Sequence, residues 1–167
     1  MQHSAWRAAT KTLKGTALAL GVAHVAAYLA VALFRMAYPF ELEWMEGGVL
    51  EHVRRVLAGQ PIYAPPSLEF ISFLYPPLHY WVGAAAATVF GTSLFTLRLV
   101  SFLASIGVFV LIFLLVRRET GRALPALVSA CLFAATFERS GAWFDLARVD
   151  SLFLFLLMGV IYLARFG

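Results

Sequence analysis

The chain is built from long apolar stretches separated by short polar segments, and apolar and polar residues do not alternate singly. The first stretch, residues 15–34, contains no Asp, Glu, Lys or Arg. A helix of about 20 residues crosses the hydrocarbon core of a bilayer. Four more apolar stretches follow, at residues 76–91, 99–116, 123–137 and 151–164. Such continuous runs predict membrane helices and exclude the alternating strands of a transmembrane β-barrel.

Composition supports this class, because 62% of the 167 residues are apolar and only 13% are charged. The single cysteine, Cys131, excludes a disulfide framework within the chain. The net charge of +4 does not indicate nucleic-acid binding, since the basic residues flank apolar stretches and do not cluster. The sequence therefore predicts an integral helical membrane protein with a few spans and no sizeable soluble domain.

The basic residues also decide between two topologies. If residues 76–91 lie in the interface or re-enter, then the basic residues before position 15, the loop 117–122 and Arg165 all face the cytoplasm. If residues 76–91 cross, the chain has five spans and the later basic groups face outward. We favour the first arrangement, a single all-α membrane domain with four transmembrane helices and a cytoplasmic amino terminus, in a bacterial inner membrane. Its segments are a tail (1–14), spans (15–37, 93–116, 123–139 and 151–166) and outer loops (38–92 and 140–150).

The first outer loop has a helical pattern of its own. Apolar residues recur at helical spacing between Met45 and Leu57, and Gly59 followed by Pro61 forms a helix stop. This pattern predicts a short amphipathic helix in the membrane plane on the outer face. A second short helix, re-entrant or juxtamembrane, is expected within residues 76–91.

Acidic residues stand at two places where apolar stretches meet the outer face. Glu43 and Glu46 are three residues apart, so on a helix they share a face and could together bind an amine, a hydroxyl or a divalent metal ion. The structural alternative is stabilisation of a helix start by their charge. Asp150 opens the last apolar stretch, where it could instead cap that helix or pair with Arg148. The histidines and the cysteine show no metal-ligand spacing, so no metal ligand is assigned.

Five short motifs in this order give the chain a family resemblance. They are Glu46-Gly47, residues 57–63 (LAGQPIY), residues 75–81 (YPPLHYW), residues 98–101 (RLVS) and residues 147–150 (ARVD). Together they resemble the amino-terminal part of the C-superfamily of membrane glycosyltransferases, in the branch of protein O-mannosyltransferases and lipid A aminoarabinose transferases. The resemblance implies two acidic outer sites beside a cavity where a polyprenyl-phosphate sugar meets its acceptor.

The resemblance also implies roles for particular residues. Glu46, Glu43 and Asp150 are the candidate catalytic carboxylates. Arg148, Tyr75 and His79 are the candidates for contact with the donor phosphate, and Tyr75 stands where one branch has a lysine. Interface packing is the alternative for His79.

Two departures from the family pattern limit what the chain is expected to do. Met45 occupies the position where the family usually has the aspartate considered the catalytic base. The family's enzymes are also several times longer, and their later segments complete the donor site. We therefore expect an amino-terminal portion that is inactive alone and that associates with membrane lipid and with other transmembrane helices or subunits. The alternative is a non-catalytic transmembrane subunit of a larger complex.

Overall fold

The computed structural model describes residues 2–167, with side chains from residue 5 onward, and every regular element in that range is an α-helix. The six helices are α1 (Gln2–Met36), α2 (Met45–Leu57), α3 (Leu78–Phe90), α4 (Leu94–Thr120), α5 (Ala123–Ala135) and α6 (Asp150–Phe166). The predicted all-helical fold class is confirmed. Helix α1 includes most of the predicted tail 1–14, of which Met1 lies outside the described residues.

In the part of the chain that the structure describes, two helices are long and apolar enough to cross a membrane, Ala5–Met36 within α1 and Leu94–Thr120, which is α4. Helix α5 has 13 residues and α6 has 17, which gives lengths of about 20 and 25 Å against a hydrocarbon core of about 30 Å. The predicted count of four spans therefore remains a prediction.

Helix α5 is shorter than the predicted span 123–139 because the chain turns directly after Ala135. The amide of Phe137 donates to the carbonyl of Ala134, and the amide of Ala142 donates back to the carbonyl of Phe137. Gly141 and Ala142 both have positive φ angles, 80° and 56°. A left-handed alanine is unusual, and no local sequence signal indicates it.

Three other helix ends follow local sequence signals. The amide of Gln60 donates to the carbonyl of Arg55 over 2.8 Å, and Gly59 takes a left-handed φ of 66°, so α2 stops where the sequence predicts. Helix α3 begins directly after Pro77, and Ser93 Oγ caps α4 by accepting the amide of Thr96.

Helix α4 is the centre of the fold and contacts all five other helices. Its contact with α6 is close, because a Cβ built on Gly107 would lie 2.4 Å from the ring of Phe155. Helices α1 and α5 approach equally closely at Gly21, where a Cβ would lie 2.4 Å from the Cβ of Cys131. Small residues at such positions let membrane helices pack.

The apolar face of α2 is covered by protein. Val49 and Val53 are fully buried and pack in one cluster with Tyr80 of α3 and Leu97 of α4. The sequence predicts that this face rests on the membrane, whereas the structure packs it against α3 and α4. The helix exists as predicted, and its orientation in the membrane plane remains a prediction.

Candidate functional site

Glu46 lies at the start of α2 and is completely buried. Its Oε1 accepts hydrogen bonds from Arg98 Nε (2.8 Å) and the Ala147 amide (2.9 Å). Its Oε2 accepts from Arg98 Nη2 (2.6 Å) and the Leu42 amide (2.8 Å). Burial acts to raise the pKa of Glu46, but these hydrogen bonds outweigh it and lower the pKa. The carboxylate thus ties α2 to α4 and to the loop that precedes α6.

Arg98, near the start of α4, is 1% exposed and uses all five of its N–H groups. Two go to Glu46, and the other three go to backbone carbonyls at the end of α1 and just after it, those of Arg35, Tyr38 and Phe40, at 2.6–2.9 Å. A guanidinium forms such a planar, multidentate set and a lysine cannot. The sequence marked Arg98 only as part of a motif, although a charged residue inside the predicted span 93–116 was a usable signal.

Arg148 joins the two acidic places that the sequence identified. Its Nη1 lies 3.0 Å from Glu43 Oε2, and its Nε donates to Asp150 Oδ2 over 2.9 Å. The guanidinium is buried and lies 4.2 Å from the centre of the Trp143 ring. Glu43 also accepts the amide of Met45, which stabilises the start of α2. The side chain of Asp150 remains 46% exposed, against 15% for that of Glu43.

An apolar groove of about 350 Å³ opens beside this ion cluster, between α3 and α6. Tyr75 and His79 line one wall, and Asp150 stands at the start of the other. The remaining lining residues are Pro76, Leu78, Val149, Leu152, Phe153 and Leu156. An apolar groove with a few polar groups in its lining fits an amphipathic ligand. The structure therefore brings together Glu43, Arg148 and Asp150, places Tyr75 and His79 at the same groove, and sets Glu46 apart in a pair with Arg98.

Two further buried polar side chains escaped the sequence analysis. His52 of α2 contacts the Gly48 carbonyl through Nδ1 at 2.6 Å and accepts the Phe73 amide through Nε2 at 3.0 Å, which fixes the loop after α2. Asp145 is 1% exposed, and among the described residues only its Oδ1 has a partner, Arg35 at 3.4 Å. Burial raises the pKa of Asp145, and Arg35 only partly offsets that effect. No local pattern marks either residue, since the Phe73 amide and Arg35 lie in other segments than His52 and Asp145.

Among the residues that the structure describes, no group of three or more His, Cys, Asp or Glu side chains could hold a metal ion. Glu43 and Glu46, which the sequence grouped as a possible joint site, each pair with a different arginine.

The long apolar helices are those of an integral membrane protein, and a charged cluster lies beside an apolar groove between two of its helices. A model of the dolichyl-phosphate-mannose-protein mannosyltransferase family matches residues 75–166, more than half of the chain, and the chain belongs to that family. The match confirms the resemblance to the C-superfamily. It includes Tyr75, His79, Arg148 and Asp150, whereas the two glutamates precede it. No curated protein and no solved structure matches the chain.

Proposed function

We propose that the chain forms the donor-binding portion of a membrane glycosyltransferase that uses a polyprenyl-phosphate sugar at the outer face of a bacterial inner membrane. The observation that carries this proposal is Arg148, held between Glu43 and Asp150, where Asp150 also lines the apolar groove. The groove takes the isoprenoid, and the ion cluster lies where the phosphate and sugar emerge.

The reaction assigns a separate task to each member of the cluster. A bond forms between the acceptor oxygen and the sugar's anomeric carbon, while the bond from that carbon to the phosphate oxygen breaks through an oxocarbenium-like state. Asp150, the most exposed carboxylate of the cluster, takes the acceptor proton. Arg148, oriented by Glu43 and by the Trp143 ring, stabilises the negative charge of the departing phosphate.

Glu46 has a positioning role in this scheme. Two N–H donors occupy each of its oxygens, so no lone pair is free to accept a proton from an acceptor. Because Glu46 binds the Ala147 amide, it fixes the residue directly before Arg148. Glu43 is the better placed of the two glutamates to act at the groove.

The isolated chain binds the donor but does not transfer sugar. The groove is open, and α6 leaves large apolar side chains exposed along its length, at Phe153, Leu156, Val160, Ile161 and Leu163. Other transmembrane helices, or lipid, would cover this surface. A water-excluding site that surrounds the reacting groups is what gives electrostatic stabilisation its strength.

A non-catalytic subunit is the second candidate, and one observation favours it. Met45 stands at the position of the family's usual aspartate, is 5% exposed and packs under the Tyr75 hydroxyl. A subunit of this kind would retain the helical packing and the Glu46–Arg98 pair without binding a sugar donor.

Photocrosslinking in native membranes separates these candidates. A photoreactive polyprenyl-phosphate mannose should label the groove of the wild-type chain. Arg148→Lys, which keeps the charge but loses the fork geometry, should weaken labelling about tenfold or more, as expected for loss of a charged hydrogen bond. Glu51→Gln, at an exposed pair with Arg54, should label like wild type. Absence of labelling in the groove of the wild-type chain would favour the non-catalytic subunit.

A further inference from the structure

His79 lies in the wall of the groove with no polar partner. The residue is 4% exposed, and neither Nδ1 nor Nε2 has a hydrogen-bond partner within residues 2–167. An imidazole buried without partners is unfavourable, and native proteins keep few such groups. Because the same side chain lines a cavity of ligand size, the missing partner is expected to arrive with the ligand.

The groups that surround His79 leave it neutral in the empty groove. Asp150 faces it from α6, Tyr75 lines the same wall before α3, and the Tyr80 ring stands edge-on at 6.2 Å. Burial lowers the pKa of His79 to about 4, although the Asp150 carboxylate acts in the opposite direction. The imidazole is therefore uncharged near pH 7.

The net charge of the neighbouring ion cluster disfavours the binding of an anionic ligand in the groove. Glu43 and Asp150 each contribute −1 and Arg148 contributes +1, so the cluster has a net charge of −1. A polyprenyl-phosphate sugar is a phosphodiester and brings a further negative charge. Two like charges in a weakly solvated groove repel each other unless a cation joins them.

We infer that His79 binds a proton from solvent when the donor phosphate enters the groove, and that the resulting imidazolium donates a hydrogen bond to a phosphate oxygen. The inference rests on the proposed donor site. It adds that donor binding is coupled to the uptake of one proton by His79. The step forms one N–H bond on the imidazole with a proton from solvent, and no bond of the phosphodiester forms or breaks. The added positive charge offsets the incoming negative charge, and the unpartnered imidazole gains an acceptor.

Calorimetry on the detergent-solubilised chain tests this coupling. The probe is methyl farnesyl phosphate, a phosphodiester that does not itself titrate near neutral pH, whereas a phosphate monoester would. Titrations at pH 7 in buffers of different ionisation enthalpy give the number of protons bound per ligand. The expected result is close to one proton for the diester and none for farnesol, which lacks the phosphate.

A variant and its matched control assign the proton. His79→Gln keeps an N–H donor but cannot become a cation, so proton uptake should vanish and affinity should fall about tenfold. His24→Gln, at an exposed histidine that does not line this groove, should behave as wild type. If His79→Gln does not fold, the ¹³Cε1 resonance of His79 in the wild-type chain should move to the imidazolium position when the diester is added.

The outcomes distinguish this inference from the proposed function. If the diester does not bind at all, the donor site itself is wrong. Binding without proton uptake, or with a strict requirement for Mg²⁺ in place of a proton, overturns the role of His79 alone. Unchanged proton uptake in His79→Gln also overturns it and assigns the proton to another group.

Discussion

At the scale of single residues, the Glu46–Arg98 pair is the strongest polar determinant of the fold. Both side chains are essentially removed from water, at 0% and 1% exposure, and together they fix the segment after α1, the start of α2 and the loop before α6. Removing one member of a buried pair leaves an uncompensated charge, which typically costs about 3–5 kcal/mol.

We expect Glu46→Gln and Arg98→Lys each to lower the free energy of unfolding by about that amount, because each leaves part of the network unsatisfied. Equilibrium unfolding in mixed detergent and SDS measures this. Glu51→Gln is the control, since it breaks an exposed ion pair with Arg54 worth at most about 0.5 kcal/mol. Equal losses in the buried and exposed variants would contradict this account.

His79 predicts a pH dependence of stability at the same scale. Its pKa is about 4 in the folded chain and about 6.5 when unfolded, so between these values the unfolded chain binds more protons. Its contribution to stability is therefore complete above pH 6.5 and falls by about 3 kcal/mol as the pH drops to 4. In His79→Gln the unfolding free energy should vary less with pH over this window.

His52 also makes the folded chain less stable as the pH falls, because burial lowers its pKa and protonation would break its hydrogen bond from the Phe73 amide. The wild-type curve minus the His79→Gln curve isolates the His79 part. Parallel curves for the two proteins would show that His79 is not buried in its neutral form.

At the scale of helices, the contact of α4 with α6 depends on a glycine. A methyl group at Gly107 would meet the Phe155 ring at 2.4 Å, whereas a methyl group at Gly159 on α6 would meet nothing within 4 Å. Gly107→Ala should therefore destabilise the chain by about 1–3 kcal/mol through overpacking. Gly159→Ala should be neutral or stabilising by up to about 1 kcal/mol, because alanine favours helix.

A double variant tests the cause of the Gly107 effect. Adding Phe155→Ala removes the ring that the new methyl group would strike, so the Gly107→Ala penalty should be smaller on that background in the same unfolding assay. An unchanged penalty would mean that the contact between α4 and α6 is not what limits this position.

The elements could be predicted from the sequence wherever their signals are local. The α2 periodicity and its stop at Gly59 gave correct helix bounds, and the double proline fixed the start of α3. The end of α5 could not be predicted, because the turn at Ala142 depends on packing around Phe137. The packing of α3 and α4 on the apolar face of α2 was also unpredictable. A period of 3.6 residues shows that a helix has an apolar face, but not which element packs against it.

The candidate site also has features that could be predicted from the sequence and features that could not. Charge distribution and the family resemblance together indicated that Glu43 and Asp150 belong on one side of the membrane, and the structure joins them through Arg148. The separate pairing of Glu46 with Arg98 spans 52 positions, and the unpartnered state of His79 depends on three segments packing at once. Neither leaves a pattern along the chain.

At the scale of the whole molecule, charge separates along the long helices. Arg98 at the start of α4 contacts the end of α1, and Arg165 at the end of α6 pairs with Glu119 at the end of α4. The ion cluster of Glu43, Arg148 and Asp150 therefore lies at the end of the bundle where α4 and α6 begin. The opposite end has most of the basic residues, which are Arg7, Lys11, Lys14, Arg117, Arg118, Arg122 and Arg165.

Both ends of α3 lie at the acidic end of the bundle. His79 in its first turn shares the groove with Asp150, and Gly91 directly after its last turn accepts the Thr96 hydroxyl at the start of α4. A helix with both ends at one side of the bundle does not traverse it, which favours the four-span arrangement over the five-span one.

The last prediction concerns orientation, and follows from placing the basic end in the cytoplasm. Glu51→Cys and Thr120→Cys are introduced into a Cys131→Ser background, which removes the one native cysteine. An impermeant thiol reagent should label position 51 in intact cells with a permeable outer membrane, and position 120 only after the inner membrane is opened. Both sites are accessible, since the Glu51 side chain is 40% exposed and Thr120 is exposed. Labelling of position 120 from outside would reverse the orientation and place the groove, with Arg148 and Asp150, on the cytoplasmic face.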